Sequence, residues 1–143
     1  YQLLFTSRLY EFLYHLCRSY SHQIPSASLT GSQRDLQRVT RVMNWVKVHY
    51  PEPLSLETAA DSLALSKEYF CRLFKKYTGQ TFLEYLNDVR TMHLYEDLQN
   101  SDETITVLME KNGLSNYKIF MRTFKKLYGS TPQKMRSNRI RHI

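Results

Sequence analysis

Apolar residues recur at steps of three and four along most of this chain, the spacing that lines one side of an α-helix, and strand-like alternation is nowhere sustained. The pattern predicts an all-α protein. From Gln2 to Tyr20 the residues Leu3, Phe5, Leu9, Phe12, Leu13, Leu16 and Tyr20 give a broad apolar face to one amphipathic helix over residues 1–20. The following stretch, "SYSHQIPSASLTGSQ", mixes Ser, Thr, Pro and Gly with little to bury. That is linker composition, and it predicts a boundary over residues 21–33.

Helix signals then follow closely. Leu36, Val39, Met43, Val46 and Tyr50 mark one face of residues 33–50, opened by Ser32-x-x-Asp35 and stopped by "YPEP". A short helix over 56–63 carries the small Ala59 and Ala60 behind Ser55 as cap. In 67–77, Phe70, Leu73, Phe74 and Tyr77 fall at i, i+3, i+4 and i+7, and Gly79 ends the helix. Thr81-x-x-Glu84 opens a longer helix over 82–99, with Phe82, Tyr85, Leu86, Val89, His93 and Leu94 along it. A second round repeats the first: a short helix over 105–112, a turn at Gly113, a longer helix over 117–128 closed by Gly129, and a last helix started by Thr131-Pro132 and reaching about Asn138.

The two rounds match residue by residue. "YFCRLFKKYTGQT" (69–81) and "IFMRTFKKLYGST" (119–131) are identical at seven of thirteen positions, and upstream Ala60, Ala64, Leu65 and Ser66 correspond to Met109, Gly113, Leu114 and Ser115. The second copy therefore has one extra residue between turn and long helix. A short helix, a tight turn and a longer helix form a helix-turn-helix, in which the first helix braces the second so that its outward face fits a major groove.

Charge strengthens this reading. With 20 Lys+Arg against 13 Asp+Glu, a formal charge of +7 and a pI near 9.5, the chain favours polyanionic partners. When Phe70, Leu73, Phe74 and Tyr77 turn inward, Glu68, Cys71, Arg72 and Lys75 turn outward. When Phe120, Thr123, Phe124 and Leu127 turn inward, Tyr117, Lys118, Met121, Arg122 and Lys125 turn outward. Arg72 and Arg122 occupy equivalent places and suit guanine O6/N7, while Lys76 and Lys126, one step round, suit phosphates. Ser66 and Ser115 are helix caps whose neighbouring amides also suit a phosphate.

Other chemistry finds no support. Cys17 and Cys71 make no CxxC or Cys/His cluster, which points to no metal and to a reducing cytoplasm. The five histidines form no HxxxH or HExxH pair, and there is no glycine-rich phosphate loop, so neither an enzyme nor a cofactor is expected. No apolar run approaches the ~20 residues that span a bilayer, so no membrane partner is expected. The first residue is Tyr rather than Met, which suggests a piece of a longer protein.

The segments "LSLETAADSLALSKEYFCRLFKKYTGQTFLEYLNDVR" (54–90) and "ITVLMEKNGLSNYKIFMRTFKKLYGSTPQKMR" (105–136) resemble the DNA-binding domain of the AraC/XylS family of bacterial transcription regulators, over roughly residues 36–138. The second segment carries the more specific signals, G-L-S, F-x-R-x-F-K-K-x-x-G and T-P-x-x-x-R in register. The resemblance implies a seven-helix domain over 34–143. Two helix-turn-helix subdomains, about 56–78 and 105–128, are joined by the 82–99 helix, which holds two recognition helices in successive major-groove segments about 34 Å apart. It implies base contacts at Glu68, Cys71, Arg72, Tyr117, Lys118, Met121 and Arg122, with phosphate contacts at Ser66, Lys67, Lys75, Lys76, Ser115, Asn116, Lys125 and Lys126. The partners it implies are double-stranded DNA and RNA polymerase. Residues 1–20 resemble the interface helix that ends the effector domain of such regulators. This implies a small-molecule effector bound by a preceding domain and a homodimer contact through Leu9, Leu13 and Leu16.

Some positions depart from the family pattern. Met109 replaces a small alanine, Asn112 replaces an apolar residue, Leu94 replaces a small residue and Leu114 replaces a phenylalanine. A larger residue at 109 pushes the helices apart unless the site repacks. The alternative reading is a basic helical module that acts mainly on RNA polymerase or another protein factor, with its second helix-turn-helix degenerate.

Overall fold

The computed structural model describes residues 30–140, and the N-terminal helix with Leu9, Leu13 and Leu16 lies outside them. Seven helices and no strand occur among the described residues: α1 Gly31–His49, α2 Leu56–Asp61, α3 Lys67–Thr78, α4 Phe82–Asn100, α5 Ile105–Lys111, α6 Tyr117–Tyr128 and α7 Pro132–Ile140. From Arg34 onward they form one compact unit.

Helix α1 begins earlier than the sequence pattern suggests. Its cap is the pair Thr30-x-x-Gln33: the Thr30 amide donates to Gln33 Oε1 at 3.0 Å and the Gln33 amide donates to Thr30 Oγ1 at 3.4 Å. The expected pair Ser32-x-x-Asp35 lies inside the helix, which starts at Gly31, and Asp35 accepts from Arg38 and from the Tyr69 hydroxyl. The buried residues of α1 are Val39, Val42 and Val46, with Met43 packed beside them, whereas Leu36 is 52 % exposed. The apolar face expected from residue 36 starts one turn later, where the core begins.

Helices α1, α2, α3 and the first half of α4 enclose one core. Ser55 caps α2 in a reciprocal pair with Thr58, and α2 ends at Asp61 rather than 63. Ala59 and Ala60 are fully buried, so the short helix lies close to its neighbours. Phe70 and Phe74 of α3 are also fully buried and meet Phe82 of α4 at ring distances of 5.7 and 5.8 Å in edge-on geometry. Burying each such ring stabilises by about 1.5–3 kcal/mol, so this trio anchors α3 to the linking helix.

The second half of α4 enters a second core with α5, α6 and α7. Leu94 and Leu98 pack there against Leu108, Met109, Leu114, Phe120 and Phe124. Met109 is buried without opening the turn. The Leu114 amide donates to the Met109 carbonyl at 2.8 Å, the same bond that Leu65 makes to Ala60 at 3.1 Å. Leu127, expected to face inward, is 36 % exposed, and Tyr128 closes this end by stacking on Tyr95 at 4.2 Å.

Asn112, out of pattern in the sequence, is buried, with its Nδ2 donating to Asp97 Oδ2 and to the Leu108 carbonyl, both at 2.9 Å. Lys111 also reaches Asp97, at 3.2 Å. Burial alone would raise the Asp97 pKa, but the hydrogen bonds from Asn112 and Lys111 outweigh it and hold the carboxyl below its ordinary value.

The two cores share more than α4. At its middle the Arg90 guanidinium donates to the Tyr50 and Glu52 carbonyls. Between those two residues the Pro51 carbonyl oxygen faces Gly113, lying 2.6 Å from where a Cβ there would stand. Gly113 also has a positive φ of 73°, so both space and backbone demand glycine at this point.

Candidate nucleic-acid interface

The two longer helices of the repeat, α3 and α6, span 12 residues each and end at a glycine with left-handed backbone. Each buries its phenylalanines and leaves a basic side in water. Helix α3 carries four basic side chains against one acidic, and α6 carries four against none. That surplus equals the formal +7 of the whole sequence. All remaining residues therefore sum to zero, so these two helices hold a positive surplus that the rest of the sequence does not add to.

On α3, Lys67, Glu68, Cys71, Arg72, Lys75 and Lys76 are all exposed, as expected. Cys71 is a free thiol. On α6, Lys118, Arg122, Lys125 and Lys126 are exposed and Tyr117 is 53 % exposed. Met121 departs from the outward set. It is half-buried and packs against the second core, which leaves only part of its side chain for a ligand.

The helix starts also differ from expectation. Ser66 caps α3, accepting from the Tyr69 amide at 3.3 Å. The equivalent role at α6 falls to Asn116, whose Oδ1 accepts from the Ile119 amide at 3.0 Å, and not to Ser115. The one-residue insertion in the second copy moves the cap by one position. Ser115 is exposed beside it.

The lysines are not equally available. Lys67 forms an ion pair with Glu57, whose mutual hydrogen bond lowers the carboxyl and raises the amine. Lys126 reaches Asp88 of α4 at 3.2 Å. Lys76 stands 5.4 Å from the centre of the Tyr77 ring. The Lys67–Glu57 pair, exposed at both partners, is worth little in water.

Two recesses adjoin the second basic helix. Ser115, Asn116 and Arg122 share a cavity of about 340 Å³ with Arg90 and Asn87. Ser115 and Tyr117 line a larger one of about 780 Å³, opposite the 51–55 segment and again beside Arg90. Neither takes in a residue of α3.

Sequence reasoning missed three features. Arg90 has no periodic signal, since its partners are backbone carbonyls. Asp88 lies 38 residues from Lys126, outside any local spacing signal. Arg34, Arg38 and Arg41 form a third basic group on α1, and their spacing of four and three residues was visible in the sequence. Among the described residues no group of acidic, histidine or cysteine side chains is placed to hold a metal, and no helix is long and apolar enough to cross a membrane.

Comparison with known proteins places this geometry. A model described as a helix-turn-helix domain matches residues 59–138. An HTH-type transcriptional regulator of Staphylococcus aureus is 33 % identical over 102 residues, covering 71 % of this chain and 14 % of that protein. The chain thus spans a small part of the length of such curated relatives. Two solved structures are similar to a large part of the chain. The DNA-binding domain of AdpA in complex with a target DNA has a TM-score of 0.63 at 25 % identity, over 71 % of this chain and 91 % of that one. A transcriptional regulator from Chromobacterium violaceum with an AraC-type DNA-binding domain has a TM-score of 0.64 at 25 % identity, over 73 % and 93 % of the two chains.

Proposed function

This chain belongs to the AraC-type helix-turn-helix family, whose fold is that of DNA-binding transcription regulators and not of enzymes, and from that premise we propose that it reads duplex DNA with both of its units. The observation that carries the proposal is the charge distribution: the whole surplus of +7 resides on α3 and α6. Two basic helices, each braced by a shorter one, suit insertion into successive major-groove segments about 34 Å apart.

In this reading Arg72 and Arg122 make the dominant base contacts, with a bidentate reach to guanine, and Lys118 joins them. Glu68 accepts from cytosine N4, while Cys71, Tyr117 and the exposed part of Met121 offer contact to thymine methyl groups or sugar edges. Ser66, Lys67, Lys75 and Lys76 on one unit, and Ser115, Asn116, Lys125 and Lys126 on the other, set the register on phosphates. Lys67 and Lys126 exchange Glu57 and Asp88 for the duplex. The bonding at the Gly113 turn, which repeats that of the first unit, favours two reading units over a protein-binding module with a degenerate second unit.

The wider roles belong to the same proposal. The unit acts in the cytoplasm as part of a longer regulator, under control of a small-molecule effector bound by a preceding domain. Leu9, Leu13 and Leu16 contribute to a homodimer contact, and RNA polymerase is the partner in transcription.

The test is selection of bound sites from a random duplex library, followed by titration of the selected site and of random duplex at several salt concentrations. Specific binding at least about a thousandfold tighter than random, with two separated blocks of base preference, is the expected result. A single block, or equal affinity for all duplexes, would sink the two-unit reading.

A further inference from the structure

We propose that Arg34, Arg38 and Arg41 form a phosphate-binding groove at the outer end of the first unit, gripping duplex backbone beyond the segment that α3 reads. The inference rests on the DNA-binding reading above. The three arginines stand on one side of α1 and, with Gln37, line a cavity of about 460 Å³ whose opposite wall is the turn from Asp61 to Ala64. Asp61 is the acidic residue of that lining, so the groove keeps a positive surplus. Planar guanidinium groups present several donors to one phosphate, which makes arginine better suited than lysine to such a site.

The position of the groove follows from its hydrogen bonds. Arg38 Nη1 donates to Asp35 Oδ1 at 3.2 Å, and Asp35 Oδ2 accepts from the Tyr69 hydroxyl at 3.3 Å. Tyr69 lies in the first turn of α3, so the arginines flank the N-terminal end of that helix. The other end of α1 leads to Tyr50, whose carbonyl is held by Arg90, and to Pro51, which faces Gly113 of the second unit. At 1.5 Å per residue, Arg38 stands about 18 Å along α1 from Tyr50. The groove is therefore on the side of the first unit away from the second. A duplex that meets both units and continues outward passes this end of α1.

The test uses the 143-residue chain and the duplex selected for it, with the flank beside the first unit either extended or trimmed to the edge of the base-read block. The variant R34Q/R38Q/R41Q removes the charges, and R34K/R38K/R41K keeps them. Circular dichroism and thermal melting confirm that both fold. Trimming should weaken the wild-type chain on the order of tenfold, and the Gln variant should be indifferent to it. The salt slope should fall by roughly two to three, at about 0.9 per lost phosphate contact, with base preference unchanged. The Lys variant should restore part of the slope.

A folded Gln variant with the wild-type slope overturns the inference and leaves the groove for an acidic protein segment. A loss that is the same on extended and trimmed duplex also overturns it, because the arginines then act only through the general field. A wild-type chain without site preference fails the functional reading, and this inference with it. A site-specific wild type with either of the first two results fails this inference alone.

Discussion

Arg90 donates from Nε to the carbonyl oxygen of Tyr50 at 2.6 Å, joining the middle of α4 to the end of α1. Its Nη2 makes a second bond of 2.6 Å to the Glu52 carbonyl. Burial disfavours the charged guanidinium and lowers its pKa, and the two carbonyls compensate by accepting from it. Because the Pro51 carbonyl between them abuts Gly113, Arg90 helps to fix how the two units face each other. Arg90→Met should cost about 1.5–3 kcal/mol in urea unfolding. In a library that varies the gap between base-read blocks, the same variant should accept a wider range of gaps. Unchanged gap preference would restrict Arg90 to stability.

The two turns of the repeat predict substitutions of opposite sign. Gly113 has a φ of 73° and no room for a methyl group against Pro51. Gly113→Ala should destabilise by about 2–4 kcal/mol, from left-handed strain and from the contact together. Ala64 holds the same backbone region with a φ of 52°. Ala64→Gly relieves that strain at some entropic cost and should be neutral to about 1 kcal/mol stabilising. Chemical denaturation of both variants checks the pair, and a stabilised Gly113→Ala would contradict the close approach.

Asp97 gives a pH prediction. Its folded pKa lies below the ordinary carboxylate value because Asn112 and Lys111 favour the charged form against burial. Its contribution is therefore complete above the unfolded value, about pH 4, and is lost as pH falls through the lower folded value. Asp97→Asn should lower stability by about 1 kcal/mol at neutral pH and should flatten the acid limb of the stability curve. A variant whose curve stays parallel to that of the wild type down to pH 3 would remove Asp97 as a contributor.

Binding should separate the arginines from the lysines. Arg72→Ala and Arg122→Ala should each weaken binding to the selected site by roughly 1–3 kcal/mol and relax preference within their own block. Lys76→Ala should weaken every duplex alike. Asp88→Ala frees Lys126 from its 3.2 Å partner and removes a negative charge. It should tighten binding to all duplexes, most visibly at low salt. Tightening confined to the selected site would argue against a phosphate role for Lys126.

The fold was legible where side chains act with a period. The phenylalanines of both copies, the caps at Ser55, Ser66 and Thr81, and the length of α4 follow from spacing that the structure keeps. Periodicity identifies a face but not where its neighbour ends, which is why Leu36 and Leu127 lie exposed at the edges of their cores. Nearby residues of similar capping ability are also indistinguishable in the sequence: Thr30 and Ser32 compete for α1, and Ser115 and Asn116 compete for α6. The outward basic residues of the candidate site were readable from the same periodicity. The ion pairs that engage Lys67 and Lys126 were not, since their partners come from other helices.

Helix α4 gives Phe82, Tyr85, Leu86 and Val89 to one core and Leu94 and Leu98 to the other, so its residue count acts as a ruler between the two helix-turn-helix heads. Inserting one residue between Val89 and Leu94 would turn the second head by about 100° and advance it by about 1.5 Å. Four residues would nearly restore the angle and carry it about 6 Å along the axis. Length variation in this helix is therefore quantised by the helical turn, and only whole-turn changes would leave both heads on one side of a duplex.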